Sequence, residues 1–136
     1  MNSVLWVLQV LLAIYFFFTG LVHFTLPATL PAQMGWMYEL SPGLHWFSGT
    51  AEILAAIGLV LPGVTKIAPR LTAWAALGLV LVMIGAAVWH LQRGEVVNIG
   101  MNALLAVLSA FVAYGRWRLA PLAAKKPKTD SGMPVA

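Results

Sequence analysis

Apolar positions in this chain run continuously rather than alternating, over residues 4–26, 45–61, 71–91 and 97–114. Each run is close to the roughly 17–25 residues that a helix needs to cross hydrocarbon. Lipid offers no partners to backbone N–H and C=O groups, so only helices or closed barrels span it, and runs of this length predict helices. The breaks between them carry stop signals: Pro27, Pro31, Pro42 and Gly43 after the first run, Pro62, Gly63 and Pro69 after the second, Arg93 and Gly94 after the third. The first run is read as a span and not a cleaved signal, because no Lys or Arg precedes it and it is too long for an h-region. The pattern therefore predicts an all-α, integral membrane four-helix bundle in residues 1–118. Residues 119–136, with Lys125, Lys126, Lys128, Asp130 and Gly132, lack apolar periodicity and are expected to form a flexible basic tail.

Composition agrees. Of 136 residues, 61% are hydrophobic and 9% charged, against about 25% charged in soluble domains. With no cysteine, the chain cannot itself supply a thiolate metal site, an iron–sulfur cluster, a disulfide relay or a cysteine nucleophile, and no metal centre is predicted. The net charge of +4 does not predict a nucleic-acid partner, because the basic residues flank apolar segments or lie in the tail, where they orient the chain in the bilayer. Lys66, Arg70, Arg116, Arg118, Lys125, Lys126 and Lys128 share one face with the amino terminus, and only Arg93 lies on the other. The positive-inside rule then predicts a multi-pass protein of the cell inner (cytoplasmic) membrane, both termini cytoplasmic and loops 27–44 and 92–96 outside.

With that topology the remaining polar residues acquire depths. His23 closes the first span, with Thr19 one turn earlier on the same face. In the second span His45, Gly49, Glu52 and Ala56 recur at i, i+4, i+7 and i+11, placing Glu52 roughly 10 Å deeper than His45. His90 ends the third span above Met83, Ala86 and Ala87, and Asn98, Asn102 and Ser109 share a face of the fourth. All three histidines, the intramembrane carboxylate and two asparagines thus fall in the outer half, and the inner half is expected to be almost purely apolar. A charge at mid-bilayer costs about 2.5–3.5 kcal/mol on insertion scales, so Glu52 should face the bundle interior, paired or protonated. Histidines and asparagines in membrane helices also serve simply as interhelical hydrogen-bonding groups, the plainer reading for His45 and Asn98. Met34, Trp36, Met37, Tyr38 and Glu39 form an amphipathic patch that either anchors at the interface, as Trp46, Trp89 and Trp117 do, or lies across the bundle mouth as a lid.

Gly20-Leu21-Val22-His23 closing the first span, Gly49-Thr50-Ala51-Glu52 in the second, His90 ending the third and Gly115-Arg116-Trp117 ending the fourth resemble the DoxX-like family, over roughly residues 4–118. That resemblance implies a four-helix membrane bundle and, from the family's namesakes, a subunit of a thiosulfate:quinone oxidoreductase associated with terminal oxidases. Glu52 matches the family's second-helix glutamate, and His23 falls where many members carry lysine. Vertebrate relatives act as assembly factors for receptor channels, so the family spans enzyme and accessory roles.

Three classes of function follow. In the first, a quinone-linked component, Glu52 with His23 or His90 hydrogen-bonds the quinone carbonyls and carries protons, Asn102, Asn98, His45, Thr19 and Trp36 complete the site, and electrons come from a redox partner subunit. His23 and His90, at similar depth on different helices, also have the chemistry of axial haem ligands. In the second, the site holds a non-redox lipophilic ligand, or acts as an isomerase with Glu52 as proton donor. In the third, the chain is an accessory subunit, self-associated or bound to a larger complex, gripping partner helices through the small faces at Gly49, Ala56, Ala86 and Ala87.

Overall fold

A computed structural model describes residues 1–128. Four long helices carry the fold: α1 (Asn2–Thr25), α2 (Pro42–Thr65), α3 (Leu71–Gln92) and α4 (Val96–Tyr114). A 3₁₀ helix, Ala32–Glu39, lies between α1 and α2, and one π-helical turn, Gly115–Leu119, continues α4. All four are long and apolar enough to cross a membrane, which makes the chain a multi-pass membrane protein. Exposed Val7, Leu11, Phe18, Leu54, Leu61, Leu81 and Val107 form an apolar exterior suited to lipid.

The helices pack mainly on their neighbours in sequence, α1 on α2, α2 on α3 and α3 on α4, and α1 meets α4 more lightly. Toward the chain termini the centre is filled by Leu5, Leu12, Phe16, Leu59, Leu79 and Val112. α1 and α2 touch at Gly20 and Gly49. A Cβ built on Gly49 would stand 3.0 Å from the Gly20 carbonyl oxygen and 2.9 Å from the His23 Cβ, so only a bare Cα permits the crossing. Close approach here brings His23 of α1 against α2.

Two sequence expectations change. Pro42 opens α2 instead of breaking the chain before it. Ser41 caps the helix, its hydroxyl accepting from Leu44 N–H at 3.3 Å, and proline at the first helical position lacks only an N–H that would have been unpaired anyway. α2 also runs through Pro62 to Thr65, beyond the expected stop at residue 61. A proline costs the helix a backbone bond, and in a membrane bundle neighbouring side chains can re-satisfy carbonyls near the kink. The carbonyl left without its helical donor is that of Gly58, and at the next residue Gln9 of α1 donates its amide to the Leu59 carbonyl at 2.5 Å.

The termini-side half is also less apolar than expected. Gln9, Thr72, Ser109 and Arg116 are all buried there. Arg116, placed on the π turn, reaches back into the bundle, donating through Nε to Gln9 and through Nη1 to Asn2 Oδ1 (2.6 Å) and the Ala120 carbonyl (3.0 Å). Backbone and amide acceptors draw it into the bundle, where the pattern of charges placed it on the membrane face beside the termini. Of the expected tail, Lys125 N–H donates to the Lys66 carbonyl at 3.0 Å, and Asp130 and Gly132 lie outside the described residues.

Candidate functional site

At the end of the bundle that carries the α1–α2 and α3–α4 connections, the four helices do not close on one another. They enclose a cavity of about 540 Å³, and the 3₁₀ helix lies over it, contributing Gln33, Met34, Trp36 and Met37 to the lining. Met37 is fully buried and Tyr38 ties the segment back, its hydroxyl donating to the Pro27 carbonyl at 2.6 Å. Of the two readings of this patch, the structure places it as a cover across the mouth.

One wall is built by α1 and α2. Thr19 and His23 lie one turn apart on α1, and Glu52 faces them from α2; all three line the cavity. The Thr19 hydroxyl donates to Glu52 Oε2 at 2.8 Å, and His23 Nε2 stands 3.9 Å from Glu52 Oε1. His45 lies behind this wall and not in it. Its Nδ1 is 3.0 Å from Nδ1 of His23, and its Nε2 is 2.9 Å from the Met37 carbonyl oxygen.

With both rings neutral, those contacts are met by one set of tautomers. A carbonyl only accepts, so His45 carries its proton on Nε2 and offers a lone pair at Nδ1. His23 must then donate from Nδ1, which leaves its Nε2 as a bare acceptor beside Glu52. The 3.9 Å gap is too long for a hydrogen bond, but an oxygen about 2.8 Å from both groups would bridge them. His45 thus links the covering segment to the wall beneath it, through the Met37 carbonyl on one side and His23 on the other.

The opposite wall is built by α3 and α4. His90, Asn98 and Asn102 line it. His90 Nδ1 donates to Glu95 at 2.5 Å, which leaves Nε2 as the open position of the neutral ring. Trp36 connects the two walls, its ring centroid 4.9 Å from that of His90 and 6.3 Å from that of His23. The structure thus brings Glu52, His23 and Thr19 into direct register, sets His90, Asn98 and Asn102 across the same cavity, and puts Trp36 between. Among the described residues no three His, Asp or Glu side chains are arranged to hold a metal ion.

Outside the spans lies a network that the sequence did not single out. Arg93 Nε donates to Glu95 Oε1 at 2.8 Å while its Nη2 pairs at 2.5 Å with Glu39, the last residue of the covering 3₁₀ helix. Asn98 Nδ2 also donates to Glu95, at 3.3 Å. Gly94, at φ 69°, makes the tight reversal that lets Arg93 and Glu95 share this cluster. The Arg93 guanidinium, then the His90 bond, hold the Glu95 carboxyl down to about 2. A depressed carboxyl contributes stability above its unfolded value, and that contribution is lost as pH falls through the folded one. Lowering the pH from about 5 toward about 2 should therefore weaken this latch. Trp36 fluorescence should report the change, and Arg93→Gln should move its midpoint upward; a midpoint unaffected by Arg93→Gln would remove Arg93 as the cause.

Four apolar spans with a covered, two-walled cavity at one end define a multi-pass membrane bundle with an internal cavity. The model of the DoxX-like family matches residues 7–112, and the chain belongs to that family. No curated protein and no solved structure gives a significant match.

Proposed function

We propose that the chain is a quinone-linked membrane component that binds a quinone or similar lipophilic molecule in the cavity beneath the 3₁₀ helix. The observation that carries this reading is the pairing of a largely apolar space of about 540 Å³ with hydrogen-bonding side chains at two opposed walls. A flat ring with an oxygen at each end matches that arrangement, with Trp36 against the ring: as a quinol its hydroxyls would donate to the open Nε2 of His23 and of His90, and as a quinone its carbonyls would accept from a protonated Glu52 and from the Asn102 amide. A bound quinone supplies two-electron, two-proton chemistry, its electrons coming from a redox partner subunit. Glu52 and His23 hold and exchange protons at the first oxygen, and His45 keeps His23 in the accepting tautomer. By the positive-inside rule this end faces outward, so those protons exchange with the outer surface.

A non-redox pocket, with Glu52 and His23 as an acid–base pair for isomerisation, draws on the same wall and is separated by ligand identity. An accessory subunit is separated by an empty cavity. Haem sits poorly here: the Trp36 ring occupies the space against both His23 and His90.

Purification from native membrane in a mild detergent, followed by mass spectrometry of the lipid extract, tests the proposal. The expected result is an isoprenoid quinone at close to one per chain. Another lipophile at that ratio would favour the non-redox pocket, and an extract with neither would overturn the proposal.

A further inference from the structure

A second cavity, of about 530 Å³, lies at the opposite end of the bundle, lined by Arg70, Arg116, Leu71, Trp74 and Leu122 among others. Its most unusual member is Arg116, which is 4% exposed and has an unpartnered, buried Nη2. The remaining guanidinium bonds go to Gln9, Asn2 and the Ala120 carbonyl, all neutral, and Trp6 covers one face with its ring centroid 5.3 Å from Cζ. Among the described residues no carboxylate reaches it. Glu39 and Glu95 pair with Arg93, and Glu52 lies beside His23 and Thr19 in the other cavity. A buried guanidinium without an anion is costly, because desolvation is not returned by any opposite charge. It also sits on a π-helical turn, a local irregularity that recurs at functional sites.

We infer that this cavity is a phosphate-binding site at the termini end of the bundle, with Arg116 and Arg70 as its cationic ligands. The guanidinium fork matches phosphate oxygens better than a point charge would. Leu71, Trp74 and Leu122 give the same cavity an apolar side, and Trp74 packs edge-on against Trp117 at 5.2 Å, in the manner of residues at a membrane interface. A phosphate attached to acyl chains fits both halves of this lining. The anion at that level of a bilayer is a lipid headgroup, and free phosphate is the other source of the same chemistry. This site is independent of the one proposed for quinone.

The full chain in a neutral detergent would be titrated with dioleoylphosphatidylglycerol, dioleoylphosphatidylcholine and inorganic phosphate, following the thermal midpoint. The expected result is a saturable rise of about 5 °C with phosphatidylglycerol and little with phosphatidylcholine. An equal saturable rise with inorganic phosphate would keep the site and assign it to the free ion. Arg70 is exposed and its side chain makes no hydrogen bond or ion pair among the described residues, so Arg70→Gln should leave the fold intact while weakening the response about tenfold. Arg116→Lys, which keeps charge but loses the fork, should weaken it as well, and native mass spectrometry should show fewer retained anionic lipids in both variants. Equal responses to the two lipids, or a phosphatidylglycerol response untouched in Arg70→Gln and Arg116→Lys alike, would overturn the inference. So would a response seen only in Asp130→Asn, since the chain's own carboxylate would then be the anion.

Discussion

Gly49→Leu is expected to destabilise the bundle by about 3 kcal/mol and to abolish ligand binding at the same time. A Cβ at this position already meets Phe24 at 2.7 Å, His23 Cβ at 2.9 Å and the Gly20 carbonyl oxygen at 3.0 Å. Side-chain tips can rotate away, but the Gly20 carbonyl belongs to a helix backbone and yields only if α1 and α2 separate. Separation would break the His23–His45 contact, now 3.0 Å, and open the 3.9 Å spacing between His23 and Glu52. Gly43→Leu is the matched control. Gly43 also lies in α2, and a Cβ there meets nothing within 4 Å. The measurement is thermal unfolding in detergent alongside decylubiquinone binding. A Gly49→Leu protein with wild-type midpoint and wild-type affinity would show that the close crossing does not position the wall.

Glu52→Leu is expected to lower the affinity for decylubiquinone about tenfold or more, the loss of one good hydrogen bond in a site shielded from water. Glu52→Gln should stay within about threefold of wild type, because its amide can still bond Thr19 and still donate to a carbonyl. The two variants therefore separate a hydrogen-bonding role from mere filling of space. Thr19→Val gives a third point: it removes the hydroxyl 2.8 Å from Glu52 Oε2 and should cost less than Glu52→Leu. Glu52→Leu binding as tightly as wild type would detach the carboxyl from the ligand.

Much of this architecture was legible in the residues. Uninterrupted apolar runs fixed the number of spans, since lipid leaves the backbone no alternative to helix. Helical periodicity also identified the inward face of α2: His45, Gly49, Glu52 and Ala56 are all buried. What it could not show was which neighbour each side chain meets. Glu52 facing inward follows from one helix; Glu52 against Thr19 and His23 depends on the register between two, and that register is set by the Gly20–Gly49 approach. His45, read more plainly as an interhelical hydrogen-bonding group and also offered as a ligand contact, bonds His23 and lies behind the ligand wall, because its other partner is the Met37 carbonyl, and a backbone acceptor has no signature in sequence. The same reason hid Arg116, whose place depends on Gln9, which bonds the Leu59 carbonyl with one end and Arg116 with the other. Glu95 was passed over because its importance comes from a turn that folds it between Arg93 and His90.

Photoaffinity labelling with an azidoquinone, mapped by mass spectrometry on the full chain in native-like membrane, asks directly where a ring of this chemistry rests. Adducts should concentrate on the cavity side of residues 15–23 and 48–52 and on the 3₁₀ helix, and excess unlabelled quinone should compete them away. Adducts confined to the lipid-facing positions Phe18, Leu54 and Val107, undiminished by competitor, would mean that the covered cavity does not receive the quinone.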